Sequence, residues 1–410
     1  MKFDQYYISA DIKKNLRRMG FKRPTDIQFK SIPSILNGED VLAAAQTGTG
    51  KTAAFAIPVI DKIHRFKSSK RSYGIKCIVM VPTRELALQL GGVFRSLAAH
   101  TKVKVFAVHG GVEQDAQIAK IQDGIDVLIA TPGRMFDLIH QKVIDVSRVT
   151  TLVLDEADQM LDLGFIEDIK YIKKMLKRAH QTLFFSATMS DEIKKLAYSQ
   201  VKSAAIRIQV SPEDKVTKQV THAVAFMEMD DKRFFLADFL KQHGDDKVMV
   251  FVRTQVRAER VVKAMQRVGL EAIGCIHGGK EQHERKQVMH DFRDGALRVL
   301  VATDISARGI DIPNIAYVIN YDLPEKEAYY VHRIGRTGRG MNTGEAVSLC
   351  SPEEKEQLAA IETLLQKPIE VMPWQRSTQE ETKQTAEASL SGLRAMVASE
   401  PSKRKKRKKS

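Results

Sequence analysis

The chain contains 410 residues, of which 43% are hydrophobic and 28% are charged. This length corresponds to two or three ordinary domains, and the composition excludes wholesale disorder because it supplies enough apolar side chains for hydrophobic cores. Lysine and arginine number 65 against 50 acidic residues, and the resulting net charge of +15 favours a polyanionic partner.

The sequence predicts neither a membrane segment nor a redox site. No run of eighteen apolar residues occurs, and the N-terminus has no apolar core typical of a secretory signal, so we predict a cytoplasmic protein. Three cysteines, Cys77, Cys275 and Cys350, lie far apart in the sequence. This spacing fits neither a zinc site nor a disulfide framework, and we expect buried thiols.

The first half of the chain alternates between strand-like and helix-like segments. Short apolar runs, which are typical of buried parallel strands, are followed by turns or by helical stretches such as 52–66 and 165–179. The runs cover residues 41–44, 78–81, 127–130, 152–154 and 183–185. This order predicts an α/β domain with a mostly parallel sheet over residues 1–210.

The same pattern restarts after a polar break, which we predict to be a linker over residues 211–218. We predict a second α/β domain over residues 219–376. Its apolar runs cover residues 248–252, 299–302, 316–319 and 346–349. Residues 377–410 are polar and then basic, with a weakly helical segment at 390–397, and are predicted to be a disordered tail.

A glycine-rich turn follows the first predicted strand and precedes a predicted helix. Ala45 stands where a strict phosphate-loop pattern has glycine, but an ordinary strand-to-helix turn would not explain Lys51. Small residues let backbone N–H groups surround phosphate oxygens, while the Lys51 ammonium reaches the outer phosphates and the Thr52 hydroxyl ligates Mg²⁺. The predicted phosphate-binding residues are Gln46, Thr47, Gly48, Thr49, Gly50, Lys51 and Thr52.

An acidic segment, residues 155–158, follows the strand predicted at 152–154. Alone, such a run is typical of a solvated loop, but carboxylates at the carboxyl end of a parallel strand face the ligand crevice. Downstream of a phosphate loop, we expect Asp155 to hold Mg²⁺ and Glu156 to orient and deprotonate the attacking water. This division of labour indicates hydrolysis of a nucleoside triphosphate.

Arginines and glycines are interleaved in the segment 332–339. A surface helix is the alternative interpretation, but each of two glycines would destabilise that helix by about 1 kcal/mol. We favour an arginine finger, which stabilises charge on the transferred phosphoryl group.

Together these motifs resemble the DEAD-box family of ATP-dependent RNA helicases, and the resemblance extends over residues 3–374. It implies two tandem RecA-like domains, ATP and Mg²⁺ as cofactors, and an RNA-stimulated ATPase that unwinds short RNA duplexes. Residues 20–28, with the isolated Phe3 upstream, are similar to the family's Q motif, in which Gln28 would read adenine and Phe3 would stack on it; Phe21 is a further candidate nucleotide contact. A carboxamide matches the donor and acceptor of adenine, so ATP is the expected nucleotide.

The resemblance also implies coupling and further nucleotide roles. It places Asp311 at the ATP ribose and assigns the finger role to Arg336 and Arg339. Ser306 stands where the family more usually has alanine. The residues that would couple hydrolysis to unwinding are Asp158, Ser186, Thr188 and His332.

Candidate RNA contacts are carried over from the same family. Several combine hydroxyl or small residues with arginine, which suits contacts to phosphate and ribose rather than to bases. Binding should therefore be largely independent of RNA sequence and should weaken as salt rises. The residues are Pro82, Thr83, Arg84, Gly110, Gly111, Thr131, Pro132, Gly133, Arg134, Arg253, Thr254, Gln282, Arg285, Thr303 and Asp304.

The basic run 403–409 is interpreted as a flexible nucleic-acid arm, with a solvated charge tract or a nuclear localisation signal as alternatives. The absence of long flanking domains resembles the compact, RhlE-like bacterial members of the family, which disfavours nuclear localisation. Ribosomal or RNA-decay assemblies are candidate further partners, no membrane partner is expected, and a monomer is favoured.

Two alternatives to a helicase stay open. One is an ATP-dependent RNA clamp or chaperone without productive unwinding, and the other is a DNA translocase. Intact Glu156, Arg336 and Arg339 argue against an inactive enzyme. Comparing the stimulation of ATP hydrolysis by RNA and by DNA would separate a translocase from the other two.

Overall fold

The computed structural model describes residues 2–45, 48–69, 73–209, 220–307, 312, 314–338 and 344–374. The predicted linker and tail lie outside these residues, as do four members of the predicted nucleotide site: Gln46, Thr47, Asp311 and Arg339.

Two sheets, each with seven strands among the described residues, organise the chain. The strands are β1 Val41–Ala44, β2 Cys77–Met80, β3 Val105–Val108, β4 Val127–Ala130, β5 Thr151–Leu154, β6 Gln181–Ser186, β7 Ile206–Gln209, β8 Val220–Phe226, β9 Val248–Phe251, β10 Ile273–Ile276, β11 Val299–Ala302, β12 Tyr317–Asn320, β13 Gly344–Cys350 and β14 Glu370–Val371. The helices are α1 Ala10–Arg18, α2 Asp26–Leu36, α3 Lys51–Ser69, α4 Arg84–Ala98, α5 Asp115–Gln122, α6 Pro132–His140, α7 Ala157–Asp162, α8 Ile166–Met175, α9 Asp191–Gln200, α10 Lys232–Gln242, α11 Gln255–Arg267, α12 Gln282–Asp294, α13 Asp304–Ala307, α14 Glu327–Ile334 and α15 Lys355–Leu365.

The second sheet repeats the strand order of the first. The first sheet runs β3-β4-β2-β5-β6-β1-β7, and the second runs β10-β11-β9-β12-β13-β8-β14, so each strand has its counterpart seven strands later. Every strand pair in both sheets is parallel. The predicted pair of parallel α/β domains is therefore confirmed.

Hydrophobic cores lie on both faces of each sheet. In β1, Val41 and Ala43 belong to one core while Leu42 packs into the core on the opposite face. Such two-sided burial explains why the central strands are continuous apolar runs in the sequence. The cysteines Cys77, Cys275 and Cys350 are all free and buried, as predicted. No helix in the described part of the chain is both long and apolar enough to cross a membrane.

Candidate nucleotide and RNA site

The strand order divides the carboxyl edge of the first sheet into two parts. Strands β5, β6 and β1 are neighbours, and the loops after them carry the acidic segment 155–158, the segment 186–188 and the phosphate loop. We call this part the nucleotide half. Strands β2, β4 and β3 are also neighbours, and the loops after them carry the candidate RNA contacts 82–84, 131–134 and 110–111. This second part is the RNA half.

The second sheet is divided in the same way. Its RNA half is formed by β9, β11 and β10, which lead into residues 253–254 and 303–304 and into α12, the helix that begins with Gln282. Its nucleotide half includes β12, which leads into α14 and to His332. Ligands of such folds bind beyond the carboxyl ends of parallel strands, and in each sheet this edge carries the candidate nucleotide residues on one part and the candidate RNA contacts on the other.

Lys51, the first residue of α3, pairs with Glu156 across the nucleotide half. Its Nζ donates a hydrogen bond to Oε1 of Glu156 at 2.9 Å, and both side chains are buried. The other carboxylate oxygen, Oε2, accepts from Nε2 of Gln159 at 2.9 Å. Sequence reasoning missed Gln159, which lies in the first turn of α7 and reaches back to Glu156, the residue before that helix. Glu156 also has a φ of +54°, which is uncommon for a residue other than glycine.

The carboxylates of this half have divergent pKa values. Burial raises the pKa of Asp155 to about 7, although Lys51 opposes this effect. Burial also acts to raise the pKa of Glu156, but Lys51 and His332 outweigh it and hold that pKa below its usual range. For Lys51, burial favours the neutral amine, yet Glu156 and Asp155 keep its pKa above the ordinary value. Lys51 is therefore the largest single positive influence on both carboxylates of the site.

The predicted coupling residues lie around α7. Oδ2 of Asp158 accepts hydrogen bonds from the backbone N–H and the hydroxyl of Thr188, each at 3.0 Å. Ser186 ends β6, and its buried hydroxyl has no hydrogen-bond partner among the described residues. His332 is buried as well, and burial lowers its pKa despite the charges of Asp158 and Glu156. Asp158 of the first domain and His332 of the second thus lie where the nucleotide halves of the two sheets face each other.

Arg336 and Arg333 differ in their surroundings. Nε of Arg336 donates to the carbonyl oxygen of His332 at 3.2 Å, and its charge lowers the pKa of Glu156. Arg333 instead makes a fork with Asp304, from Nε to Oδ1 at 2.6 Å and from Nη2 to Oδ2 at 2.7 Å. The candidate RNA contact Asp304 therefore has both carboxylate oxygens bound by Arg333.

The Q-motif glutamine is held by the protein itself. Oε1 of Gln28 accepts from the backbone N–H of Thr25 at 3.0 Å, and its Nε2 donates to the carbonyl of Gly50 at 3.1 Å. A Cβ at Gly50 would overlap this amide, which explains the glycine. Phe3 is buried and packs edge to face on Phe21, with ring centroids 5.8 Å apart. The Q motif is therefore connected directly to the phosphate loop.

In the RNA half of the first domain, the guanidinium groups of Arg84 and Arg134 contact backbone atoms of the loop after β3. The Arg84 guanidinium lies on Gly110 and Gly111, and a Cβ on either glycine would contact it. Nη2 of Arg134 donates to the carbonyl of Val112 at 3.1 Å. Nη2 of Arg285, from the second domain, lies 2.7 Å from Oε1 of Glu85 in the first.

Other candidate RNA contacts in the RNA halves of the two sheets cap helices or make local hydrogen bonds. The hydroxyls of Thr83 and Thr254 cap α4 and α11 by accepting backbone N–H groups at 3.3 and 3.2 Å. Thr303 is hydrogen bonded to Ser306 through their hydroxyls at 2.8 Å. The Ser306 hydroxyl also donates to the Ile276 carbonyl at 2.8 Å, so this departure from alanine connects α13 to β10. Pro132 and Gly133 begin α6 after Thr131.

Comparison with known proteins identifies the family. A DEAD/DEAH box helicase model matches residues 25–196, and a helicase conserved C-terminal domain model matches residues 231–341. The DEAD-box ATP-dependent RNA helicase CshA of Bacillus subtilis strain 168 is 38% identical over 372 residues, which are 90% of this chain and 74% of that protein. The chain belongs to the DEAD-box family of ATP-dependent RNA helicases. The Geobacillus kaustophilus CshA is likewise 38% identical over 372 residues, and the match covers 78% of that protein.

Solved DEAD-box structures match both domains of this helicase together. Saccharomyces cerevisiae Dbp5 bound to RNA and ADP BeF3 matches 94% of this chain and 99% of that one, with a TM-score of 0.81 and 27% identity. Mss116 bound to single-stranded RNA and UDP-BeF matches 93% of this chain and 81% of that one, with a TM-score of 0.85 and 27% identity. The chain thus consists of two tandem RecA-like domains, arranged as in those RNA-bound helicases.

Proposed function

We propose that this helicase binds ATP and single-stranded RNA together, closes its two domains around them, separates short RNA duplexes locally and releases the RNA when ATP is hydrolysed. The observation that carries the proposal is the strand order, which groups the candidate nucleotide residues on one part of each sheet edge and the candidate RNA contacts on the other. One closure of the two domains brings both pairs of halves together. ATP and RNA should therefore favour the same closed arrangement and bind cooperatively.

The ion pair between Lys51 and Glu156 provides a switch for the attacking water. Phosphate groups entering the loop before α3 would compete with Glu156 for the Lys51 ammonium. Since Lys51 is the main charge that keeps the pKa of Glu156 low, its transfer to phosphate would make Glu156 a stronger base. Gln159 would then hold Glu156 through the remaining hydrogen bond.

Asp155 and Thr52 are the proposed ligands of Mg²⁺. The buried Asp155 carboxylate, with its raised pKa, is short of neighbouring positive charge, and carboxylate and hydroxyl oxygens are the hard donors that this ion prefers. When bound, the ion would neutralise charge on the phosphates. From the second domain, Arg336 would stabilise the transferred phosphoryl group, and Arg339 remains a prediction outside the described residues.

The testing experiment is a steady-state ATPase assay with and without single-stranded RNA, at low and moderate salt, with single-stranded DNA as the control. RNA should stimulate hydrolysis and DNA should not. Glu156→Gln should bind ATP and RNA, hydrolyse ATP at least about 100-fold more slowly, and trap RNA. Hydrolysis by Glu156→Gln at the wild-type rate would contradict the assigned mechanism.

The same assay separates the alternatives. RNA binding without stimulated hydrolysis or strand separation would favour an ATP-dependent RNA clamp, and equal stimulation by DNA would favour a translocase.

We further propose a compact, RhlE-like helicase that acts as a cytoplasmic monomer on ribosomal or RNA-decay assemblies, with the basic run 403–409 adding sequence-independent RNA affinity.

A further inference from the structure

A contact outside all predicted motifs joins the two domains beside the nucleotide half. Asp162, the last residue of α7, accepts a hydrogen bond from Nζ of Lys326 at 2.6 Å and another from the hydroxyl of Tyr329 at 2.5 Å. Each donor uses a different carboxylate oxygen. Lys326 precedes α14 and Tyr329 lies in its first turn, so one carboxylate of the first domain holds the start of a helix of the second.

The two helices joined in this way carry residues of the nucleotide half. Asp158 lies one turn before Asp162 on α7, and His332 lies about one turn after Tyr329 on α14. The Tyr329 ring also stacks beside the His332 ring, with centroids 6.4 Å apart and an interplanar angle of 27°. A displacement of Tyr329 would therefore be transmitted to His332 by direct contact.

We propose that Asp162, Lys326 and Tyr329 form an interdomain latch that stabilises the closed arrangement and positions His332 for ATP hydrolysis. These are positioning residues, since they act through His332 and through the approach of α14 to α7. The latch rests on the proposed function and adds to it a contact that stabilises closure.

The two hydrogen bonds of the latch differ in their surroundings. The Lys326 side chain is 61% exposed, so its ion pair with Asp162 is screened by water and salt. The side chain of Asp162 is 16% exposed, and the neutral Tyr329 hydroxyl donates to its charged oxygen, which is a charge-assisted hydrogen bond that needs no second charge. Tyr329 should therefore contribute more to closure than Lys326, especially at moderate salt.

The test uses the full chain with the variants Tyr329→Phe, Asp162→Asn and Lys326→Met. Tyr329→Phe keeps the ring beside His332 and removes only the hydroxyl. We expect the RNA concentration for half-maximal ATPase to rise about tenfold in Tyr329→Phe and Asp162→Asn, and about twofold in Lys326→Met. Glu167→Gln, which breaks an exposed ion pair within the first domain, is the matched control and should behave as wild type.

A second readout does not depend on hydrolysis. Small-angle scattering in the presence of RNA and a non-hydrolysable ATP analogue should show compaction of the wild type and a smaller closed fraction for Tyr329→Phe. In a double-mutant cycle, adding Tyr329→Phe to Asp162→Asn should cost little beyond Asp162→Asn alone, because the bond between the Tyr329 hydroxyl and the Asp162 carboxylate is already lost in that variant. Wild-type closure by both single variants, or fully additive effects, would overturn the latch, whereas a wild type without RNA-stimulated ATPase would overturn the proposed function instead.

Discussion

Arg333 and Arg336 lie three residues apart and use their guanidinium groups in different ways. Besides its fork with Asp304, Arg333 donates through Nη1 to the carbonyl of Asp322 at 2.6 Å and lies over the Phe251 ring. Those contacts are all internal to the second domain. Arg336 lies close enough to Glu156 of the first domain to lower its pKa. At the residue scale, the arginine-rich segment therefore combines a structural side chain, Arg333, with one that faces the other domain and is proposed to be catalytic, Arg336.

This difference predicts opposite outcomes for two substitutions. Arg333→Lys keeps the charge but loses the planar fork, and we expect it to lower the free energy of unfolding by about 1–3 kcal/mol. Arg336→Ala should reduce turnover about 10³-fold, as expected for an arginine finger. Denaturant unfolding and steady-state ATPase assays measure the two effects. A folded, stable Arg333→Lys protein that has lost only turnover would reverse the assignment.

At the element scale, the loop after β3 positions Arg84 through its two glycines. Gly111 has a φ of +75°, which L side chains rarely adopt, whereas Gly110 has an ordinary backbone conformation. The guanidinium lies against both residues. The conformation of this loop therefore fixes the position of the Arg84 guanidinium, which is a candidate RNA contact.

Gly111→Ala should weaken RNA binding more than Gly110→Ala does. An alanine at position 111 is strained by its φ and its Cβ would displace the Arg84 guanidinium, while a Cβ at position 110 would lie 3.3 Å from Nη2 of Arg84. We expect RNA affinity of Gly111→Ala to fall about tenfold, the equivalent of roughly 1.4 kcal/mol, with ATP affinity unchanged. Fluorescence anisotropy with labelled RNA measures the first quantity. Equal affinities for the two variants would contradict this role of the loop.

The elements that sequence reasoning missed are mainly those at sheet edges. The central strands β1, β2, β4, β5 and β6 are fully or almost fully buried and were predicted within two residues at their ends. The edge strands β3, β7, β10 and β14 each pair with one neighbour, and none is buried along its whole length, so they give no long apolar run. Gln159 and the latch were missed for another reason. Lys326 and Asp162 are 164 residues apart, and only the closed fold brings them together.

At the scale of the whole molecule, the two domains meet at both halves of the cleft. The latch lies beside the nucleotide half, and the Glu85–Arg285 ion pair lies in the RNA half.

Inside the domains, the three cysteines belong to separate cores: Cys77 in the first domain, and Cys275 and Cys350 in the second. They therefore report on the unfolding of each domain.

We expect no cysteine to react quickly with a thiol reagent at pH 8 in the folded protein. Burial raises the pKa of Cys77, and it raises the pKa of Cys275 and of Cys350 to about 11 in each case, so the thiolate fraction is small. In denaturant, all three should react, and one or two should appear first if the domains unfold separately. The absorbance of the group that the reagent releases gives the number of thiols that have reacted. Fast reaction of the native protein would show that a core is open.

The repeated strand order has a consequence for nucleotide binding. The counterpart of β1 is β8, and the turn after β8, residues 227–231, contains Glu228, Asp230 and Asp231 where the first domain has its glycine-rich loop. Carboxylates repel phosphate, so the symmetry of the two folds is broken at the counterpart of the phosphate loop. Of these two equivalent positions, only the loop before α3 should therefore bind the phosphates of ATP.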